Sequence, residues 1–291
     1  GIWCIWRLHA SKARKIEKLS TSKVSSTINS SNEEFWDEPC GFNAYTELGF
    51  KSSSDFDEWY FNYYPYLFDF IPFDSFQGKN VLEVGLGFGS VPQKIIECGA
   101  DYHGLDFAQN PVSIVKERLR NLDKKGSVRQ GSVLECPWSD SYFDFVVSIG
   151  CLHHTGDFIA ALKEVNRVLK VGGTAVIMVY NAFSYRQWFT SPFSTIFQFF
   201  NDIYKDPTLR QGEEKERLLY DSNKKQEAAP CTQFVGKRGL IKTLKTYFTE
   251  VTAVRSENVG DSFFLRWLPR HKKLKYFGPI FGLDLYAVMK K

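Results

Sequence analysis

Residues 80–90 read Asn-Val-Leu-Glu-Val-Gly-Leu-Gly-Phe-Gly-Ser. An apolar run, Val81 to Val84, leads into three alternate glycines, Gly85, Gly87 and Gly89, and an amphipathic segment follows. The pattern describes a buried strand, a tight turn and a helix start. Glycine serves where backbone takes a positive φ or comes close to a ligand. A helix start offers unpaired N–H groups and the positive end of a dipole. In open α/β sheets, nucleotide-like cofactors bind in the crevice beyond such strand ends.

Working outward, the same grammar repeats. Ser90 is expected to cap a helix with Val91, Ile95 and Ile96 on its apolar face, ended by Gly99. Tyr102 to Leu105 reads as a second strand closing on Asp106. Asn110-Pro111 reads as a cap with a first-turn proline, before the stripe Val115, Leu119 and Leu122. Short strands are expected at 127–130 and 143–149. A helix after Asp157 carries Phe158, Leu162, Val165 and Leu169, and Gly172-Gly173 forms a turn before a fifth strand at 174–179. Strands alternating with helices imply a parallel sheet with right-handed crossovers. Further on, 239–248 reads as a helix, 250–257 as a strand and 283–289 as a final alternating strand.

The flanks have a different texture. Residues 1–33, rich in Ser, Thr and Lys after an apolar start, read as a flexible arm with a short basic helix at 11–19. Residues 34–79 read as an N-terminal helical cap. There Trp59, Tyr63, Tyr66 and Phe70 fall at helical spacing, and Pro65 limits the helix. This cap either packs on the sheet or covers a cofactor, and the two roles are compatible. Residues 183–235 hold an aromatic block, 185–204, and a charged segment, read as a helical insertion forming a lid over an acceptor pocket or a dimer interface. Residues 263–281 mix aromatics with Arg266, Arg270, Lys272, Lys273 and Lys275. They read as a solvated hairpin extension, or as a contact for phosphate, an anionic substrate or a membrane surface.

Composition sets bounds. The chain has 291 residues, 43% hydrophobic and 16% aromatic with 26 Phe, which suits a well-filled globular α/β core. A net charge of +4 is too mild to imply nucleic acid. The six cysteines form no Cys-x-x-Cys pair and no Cys/His zinc spacing, so they read as thiols in a reducing, cytoplasmic setting with no metal. No apolar run is long enough to cross a membrane, and the start has no cleavage-site pattern of a signal peptide.

A dinucleotide site needs Gly-x-Gly-x-x-Gly. Here the third glycine comes one residue early and Ser90 holds the dinucleotide position, while Asp106 supplies the two-point acceptor that either cofactor's ribose requires. Downstream segments decide between them. Residues 81–89 closely resemble motif I of class I S-adenosylmethionine-dependent methyltransferases. Gly104-Leu105-Asp106 resembles their ribose-binding strand end, 131–138 their adenine-contacting segment, and 143–148 with Leu152-His153-His154 their fourth strand and its exit. Residues 168–173 resemble the turn before their fifth strand, and 35–41 more loosely resemble the type 11 group. The likeness runs in order across 80–180. Leu86, Ser132 and Val171 depart from the usual small residue, Asp and Pro.

This resemblance implies a Rossmann-like α/β fold: a seven-stranded, mostly parallel sheet with an antiparallel last strand and helices on both faces. Residues 34–291 would form one domain, with the cofactor core at 80–180, the lid at 183–235 and C-terminal strands at 236–291. It implies S-adenosyl-L-methionine held by Glu83, Gly85, Gly87, Gly89, Asp106, Phe107, Ser132, Val133 and Ile149. If Ser132 falls short of the adenine amino group, backbone groups and stacking by Phe107 would replace it. His153, His154 and Tyr180 are candidates for substrate contact or proton handling. The DNA amino-methyltransferase motif after strand four is absent, since Ser148-Ile149-Gly150-Cys151 stands there. A small-molecule or lipid-like acceptor methylated on O or N fits the Phe/Tyr-rich segments best. The alternatives are an NAD-type oxidoreductase and a non-catalytic cofactor-binding relative.

Overall fold

The computed structural model describes residues 31–38, 44–204, 209–260 and 266–291. Most of the expected N-terminal arm, including 11–19, lies outside the described residues. Where the arm reading overlaps them it fails: residues 31–37 form helix α1 with Asn32 buried. Next come α2 (Ala44–Glu47), α3 (Ser53–Tyr63) and α4 (Leu67–Phe70). The break between α3 and α4 falls at Pro65, which cannot donate a helical N–H. Of the expected aromatic stripe, Tyr66 and Phe70 are buried, but Trp59 is 40% exposed and Phe56 takes the core position in α3.

The sheet then builds in sequence: β1 (Asn80–Val84), α5 (Ser90–Glu97), β2 (Asp101–Asp106), α6 (Gln109–Asn121), β3 (Gly126–Gln130), β4 (Phe143–Ile149), α7 (Phe158–Val168) and β5 (Leu169–Tyr180). The insertion carries α8 (Tyr185–Thr190), α9 (Pro192–Tyr204), β6 (Arg210–Gln211), α10 (Glu214–Tyr220) and β7 (Gln233–Phe234). The chain closes with α11 (Lys237–Tyr247), β8 (Glu250–Glu257), α12 (Arg270–Tyr276), α13 (Gly278–Phe281) and β9 (Asp284–Lys290). Seven strands lie in the order β3-β2-β1-β4-β5-β9-β8, with β9 antiparallel to both neighbours and β1 to β5 parallel. β6 and β7 form a separate antiparallel pair, so the insertion is not purely helical.

Strand periodicity splits the core in two. Leu82, Val84, Val146, Ala175, Ile177, Leu285 and Ala287 join residues of α7 and α11 on one face. Val81, Val147, Val176, Met178 and Tyr286 join residues of α4, α5 and α6 on the other. A sheet covered on both faces gives the near-continuous apolar strands seen in the sequence.

Four local expectations change. Gly89, at φ +84°, is the N-cap of α5, and the Ser90 hydroxyl, already within the helix, donates to Asp57 at 2.5 Å. α6 starts at Gln109 rather than Pro111, because Asn110 is held by Asp37: its N–H donates to Asp37 Oδ1 and its Nδ2 to Asp37 O. Leu169 opens β5 instead of closing α7, and Gly172-Gly173 lies within that strand. Gly172 N–H donates to Lys291 O, and Lys291 N–H donates to Gly173 O, which continues the pairing. Residues 270–281 form two short helices, not a hairpin; 263–265 lie outside the described residues.

Candidate functional site

The C-terminal ends of β1, β2 and β4 surround a cavity of about 280 Å³. Its floor is the glycine turn. Gly85 sits at φ +82°, and a Cβ there would lie 2.5 Å from Cys151 Cβ, so only glycine permits this approach. Gly87, at φ +49°, lines the cavity and has nothing within 4 Å of where its Cβ would stand. The backbone is therefore bare where a ligand can lie against it.

Two carboxylates define the polar end. Glu83, on β1, is buried and accepts from Tyr102 Oη at 3.0 Å. Burial, then the nearby Asp106 charge, raises its pKa well above the usual range, against the lowering effect of the Tyr102 bond. Asp106, at the end of β2, accepts from Leu86 N–H at 2.6 Å through Oδ2 and from Ala108 N–H at 2.9 Å through Oδ1. Burial pushes it up to about 6, while these backbone donors pull it down. An ionised carboxylate only accepts, so the side of it that faces the cavity suits hydroxyl donors. Asp106 thus both fixes the glycine turn and faces the cavity.

Gly131, Ser132 and Val133 form the next wall. Ser132 Oγ accepts from Leu134 N–H at 3.2 Å, capping a single 3₁₀ turn, and keeps its own proton to donate. Phe107, Phe88 and Ile149 add apolar surface. All nine residues expected to hold the cofactor line this one cavity.

The N-terminal helices supply a roof that the sequence reading left open: Asn32, Trp36 and Tyr60 line the cavity from above. Asn32 Nδ2 donates to His154 O at 2.8 Å, and the Trp36 ring sits 4.7 Å from the His154 ring. α3 is clasped beneath by Asp57, which receives Arg118 Nη1 at 2.5 Å and Nη2 at 3.1 Å; Nη2 also donates to Phe88 O in the glycine turn.

Of the three catalytic candidates, only His154 lines the cavity. Its Nδ1 is 2.8 Å from Cys231 O. A carbonyl only accepts, so Nδ1 carries the proton and Nε2 holds the basic lone pair. Nε2 stands 3.7 Å from Asp221 Oδ2, and Asp221 Oδ1 accepts from Tyr180 Oη at 3.0 Å. Burial lowers the His154 pKa, with Asp221 and the Cys231 carbonyl acting in the opposite sense; burial raises that of Asp221. His153 is buried between the His154 and Tyr180 rings, away from the cavity, and its pKa is pushed well down by burial and by His154. Tyr180 does not line the cavity; its hydroxyl meets Asp221, and its ring lies against those of His153 and His154. Asp221 carried no motif in the sequence; it is brought in from the insertion.

Among the described residues, none of 183–235, the aromatic block 185–204 included, lines this cavity. The later part of the insertion reaches the cavity wall through His154, which meets Asp221 and the Cys231 carbonyl. Among the described residues, no His/Cys/Asp/Glu group could hold a metal, and no helix is long and apolar enough to cross a membrane.

Comparison with known proteins bears on the family and the fold. Residues 82–177 match the family model described as a methyltransferase domain, of the type 11 group. The fold is that of an S-adenosylmethionine-dependent methyltransferase from Mesorhizobium loti (TM-score 0.52, 15% identity, 74% of this chain and 92% of that one). It is equally that of one from Methanosarcina mazei (TM-score 0.52, 15% identity, 78% and 97%). Demethylmenaquinone methyltransferase of Staphylococcus carnosus is 33% identical over 105 residues, 35% of this chain and 43% of that protein. That of Staphylococcus aureus strain MRSA252 is 32% identical over the same shares. The chain thus spans less than half the length of the curated relatives it matches.

Proposed function

We propose that this chain, which carries a class I methyltransferase domain of the type 11 group, transfers a methyl group from S-adenosylmethionine to a small-molecule or lipid-like acceptor. The observation that carries the proposal is the bare backbone at Gly87 facing the same cavity as two carboxylates, buried Glu83 and part-buried Asp106. A cofactor with a ribose diol and an α-ammonium group presents donors to both. Asp106 would accept from the diol, Glu83 from the ammonium directly or through water, and the donor set therefore fits the group. Ser132 and the 131–133 backbone would meet the adenine edge, with Phe107 against its face.

When bound, S-adenosylmethionine supplies a methyl group on a sulfonium that leaves readily. Catalysis then rests mainly on alignment and on keeping water out. The Trp36 and Tyr60 roof excludes solvent. His154, its lone pair fixed on Nε2 by the Cys231 carbonyl, holds the base for an acceptor that must lose a proton, and Asp221 stabilises the imidazolium. O- or N-methylation suits such a base. The name of the curated relatives supports a quinone-like, lipid-soluble acceptor class, over 105 aligned residues only.

Calorimetric titration tests this reading. S-adenosylmethionine and S-adenosylhomocysteine should bind and NADH should not. Asp106→Ala should weaken binding by about 1–3 kcal/mol, the cost of a lost hydrogen bond to a charged group. Binding of NADH alone would give the site to an oxidoreductase. Binding of S-adenosylmethionine without turnover on any acceptor of the proposed class would leave a non-catalytic member of the fold.

A further inference from the structure

α9 is turned inside out. Its buried residues are polar, Thr195, Gln198 and Asp202. Its outer face is apolar: Phe193 is 85% exposed, Phe197 68%, Phe200 52% and Ile196 43%. The helix cannot roll to hide them, because its polar side is committed. Thr195 Oγ1 donates to Ser191 O and Gln187 O, and Gln198 Oε1 accepts from Arg210 Nε. Arg210 is itself locked in a two-point pair with Glu216, whose side chain is fully buried. An aromatic ridge of this size is far beyond the single exposed apolar residues normal for a soluble surface.

The position of the ridge is informative. α8 and α9 follow the C-terminal end of β5, and Tyr180 at that end pairs with Asp284, the first residue of β9. α12 and α13 immediately precede Asp284, and Asn181 Nδ2 donates to Gly282 O. α8–α9 and α12–α13 thus both adjoin the paired ends of β5 and β9, and Trp267 and Ile280 are exposed there. Charge follows the same plan. The only acid in α9, Asp202, is buried, while Arg238 Nη1 donates to Ile203 O at its C-terminal end. Exposed Lys272 and Lys275 stand on α12.

We propose that this end of the molecule docks on the surface of an anionic lipid bilayer, with the ridge of α9 entering the interface and the basic groups at its margins meeting the headgroups. The occupant is a bilayer rather than a second chain because the exposed face of α9 carries aromatic rings and no acid, with the Arg238 cation at its C-terminal end, the complement of an anionic interface. Docking there would turn the cavity end of the sheet toward a lipid-soluble acceptor. The docking itself does not depend on catalysis.

The test is co-sedimentation of the full chain with vesicles of phosphatidylcholine alone or with one-third phosphatidylglycerol. The full chain should partition onto the anionic vesicles and only weakly onto the neutral ones. The double variant Phe193→Ser/Phe197→Ser should lose at least about tenfold in partitioning, since burying one Phe is worth about that or more. Its urea midpoint and S-adenosylmethionine affinity should match the parent's, which separates lost docking from lost folding or cofactor binding. No partitioning of the parent would overturn the proposal, as would equal partitioning of the variant. A parent dimer seen by light scattering and abolished in the variant, with no vesicle binding, would assign the ridge to a second copy instead.

Discussion

Replacing Gly85 and Gly87 separately by alanine should produce opposite phenotypes, although the two residues stand in one turn. At Gly85 two penalties add. An L-residue at φ +82° pays about 1–2 kcal/mol for the left-handed backbone. The new Cβ at 2.5 Å from Cys151 Cβ adds an overpacking cost of about 1–3 kcal/mol, because both atoms are fixed by backbone. The sum, about 2–5 kcal/mol, is a large part of a typical domain's stability of about 5–15 kcal/mol. At Gly87 only the first penalty applies, since no atom lies within 4 Å of the Cβ position. There the methyl group projects into the cavity and should weaken S-adenosylmethionine binding about tenfold or more. Urea unfolding and calorimetric titration read the two effects independently. Adding Cys151→Gly to Gly85→Ala should restore about 1–3 kcal/mol, because the clash is with that side chain, whereas it should do nothing for Gly87→Ala. A Gly87→Ala variant that binds the cofactor as tightly as the parent would refute the placement of the cofactor against this turn.

The roof offers a second perturbation: Asp57→Ala leaves Arg118 buried without its carboxylate and should lower stability by about 3 kcal/mol in urea unfolding. Arg118→Met in the same chain should recover part of it. His154→Ala should reduce kcat on the order of 10²-fold while leaving cofactor affinity unchanged; equal rates would make it a purely structural residue. Asp284 bears on pH. Burial raises its folded pKa to about 7, against 3.8 when unfolded, so between these values the folded chain holds one proton more. Stability should therefore fall as pH rises from about 4 to 7, by up to about 4 kcal/mol from this group. Asp284→Asn should flatten that slope in denaturant titrations run across the window, and an unchanged slope would count against it.

Much of the sheet was legible because it is encoded locally. The run Val81–Val84, the stripe Val91, Ile95 and Ile96, and the glycines each specify a conformation within a few residues. The helix starts were misread because capping propensity lost to tertiary partners. Ser90 has the right chemistry for a cap, yet its hydroxyl goes to Asp57, 33 residues away. Asn110 likewise answers to Asp37. Residues 168–173 resemble a turn and Gly172-Gly173 follow the helix; pairing with Lys291 at the far end of the sequence keeps these glycines in the strand. For α9 the sequence left open which face is buried. Periodicity finds two faces of a helix but says nothing of which one the protein keeps. The Arg210–Glu216 pair decides that, and its partners are set by β6 and α10.

The candidate site divides along the same line. Its cofactor end depends on short-range geometry: the turn after β1, the carboxylate ending β2 and the 3₁₀ turn at 133–135. Its acceptor end depends on contacts between distant segments: Asn32 with His154 across 122 residues, His154 with Cys231 across 77, and Tyr180 with Asp221 across 41. A local turn tolerates few alternatives, since each change of backbone or Cβ meets a fixed neighbour. Long-range contacts can be re-chosen one loop at a time without disturbing the turn. Substitutions in 183–235 therefore act on His154 and on what it meets, and leave the grip of Asp106 on the glycine turn intact. On the proposed function, cofactor recognition and acceptor choice are therefore separable, and His154 is where the cavity and the insertion meet.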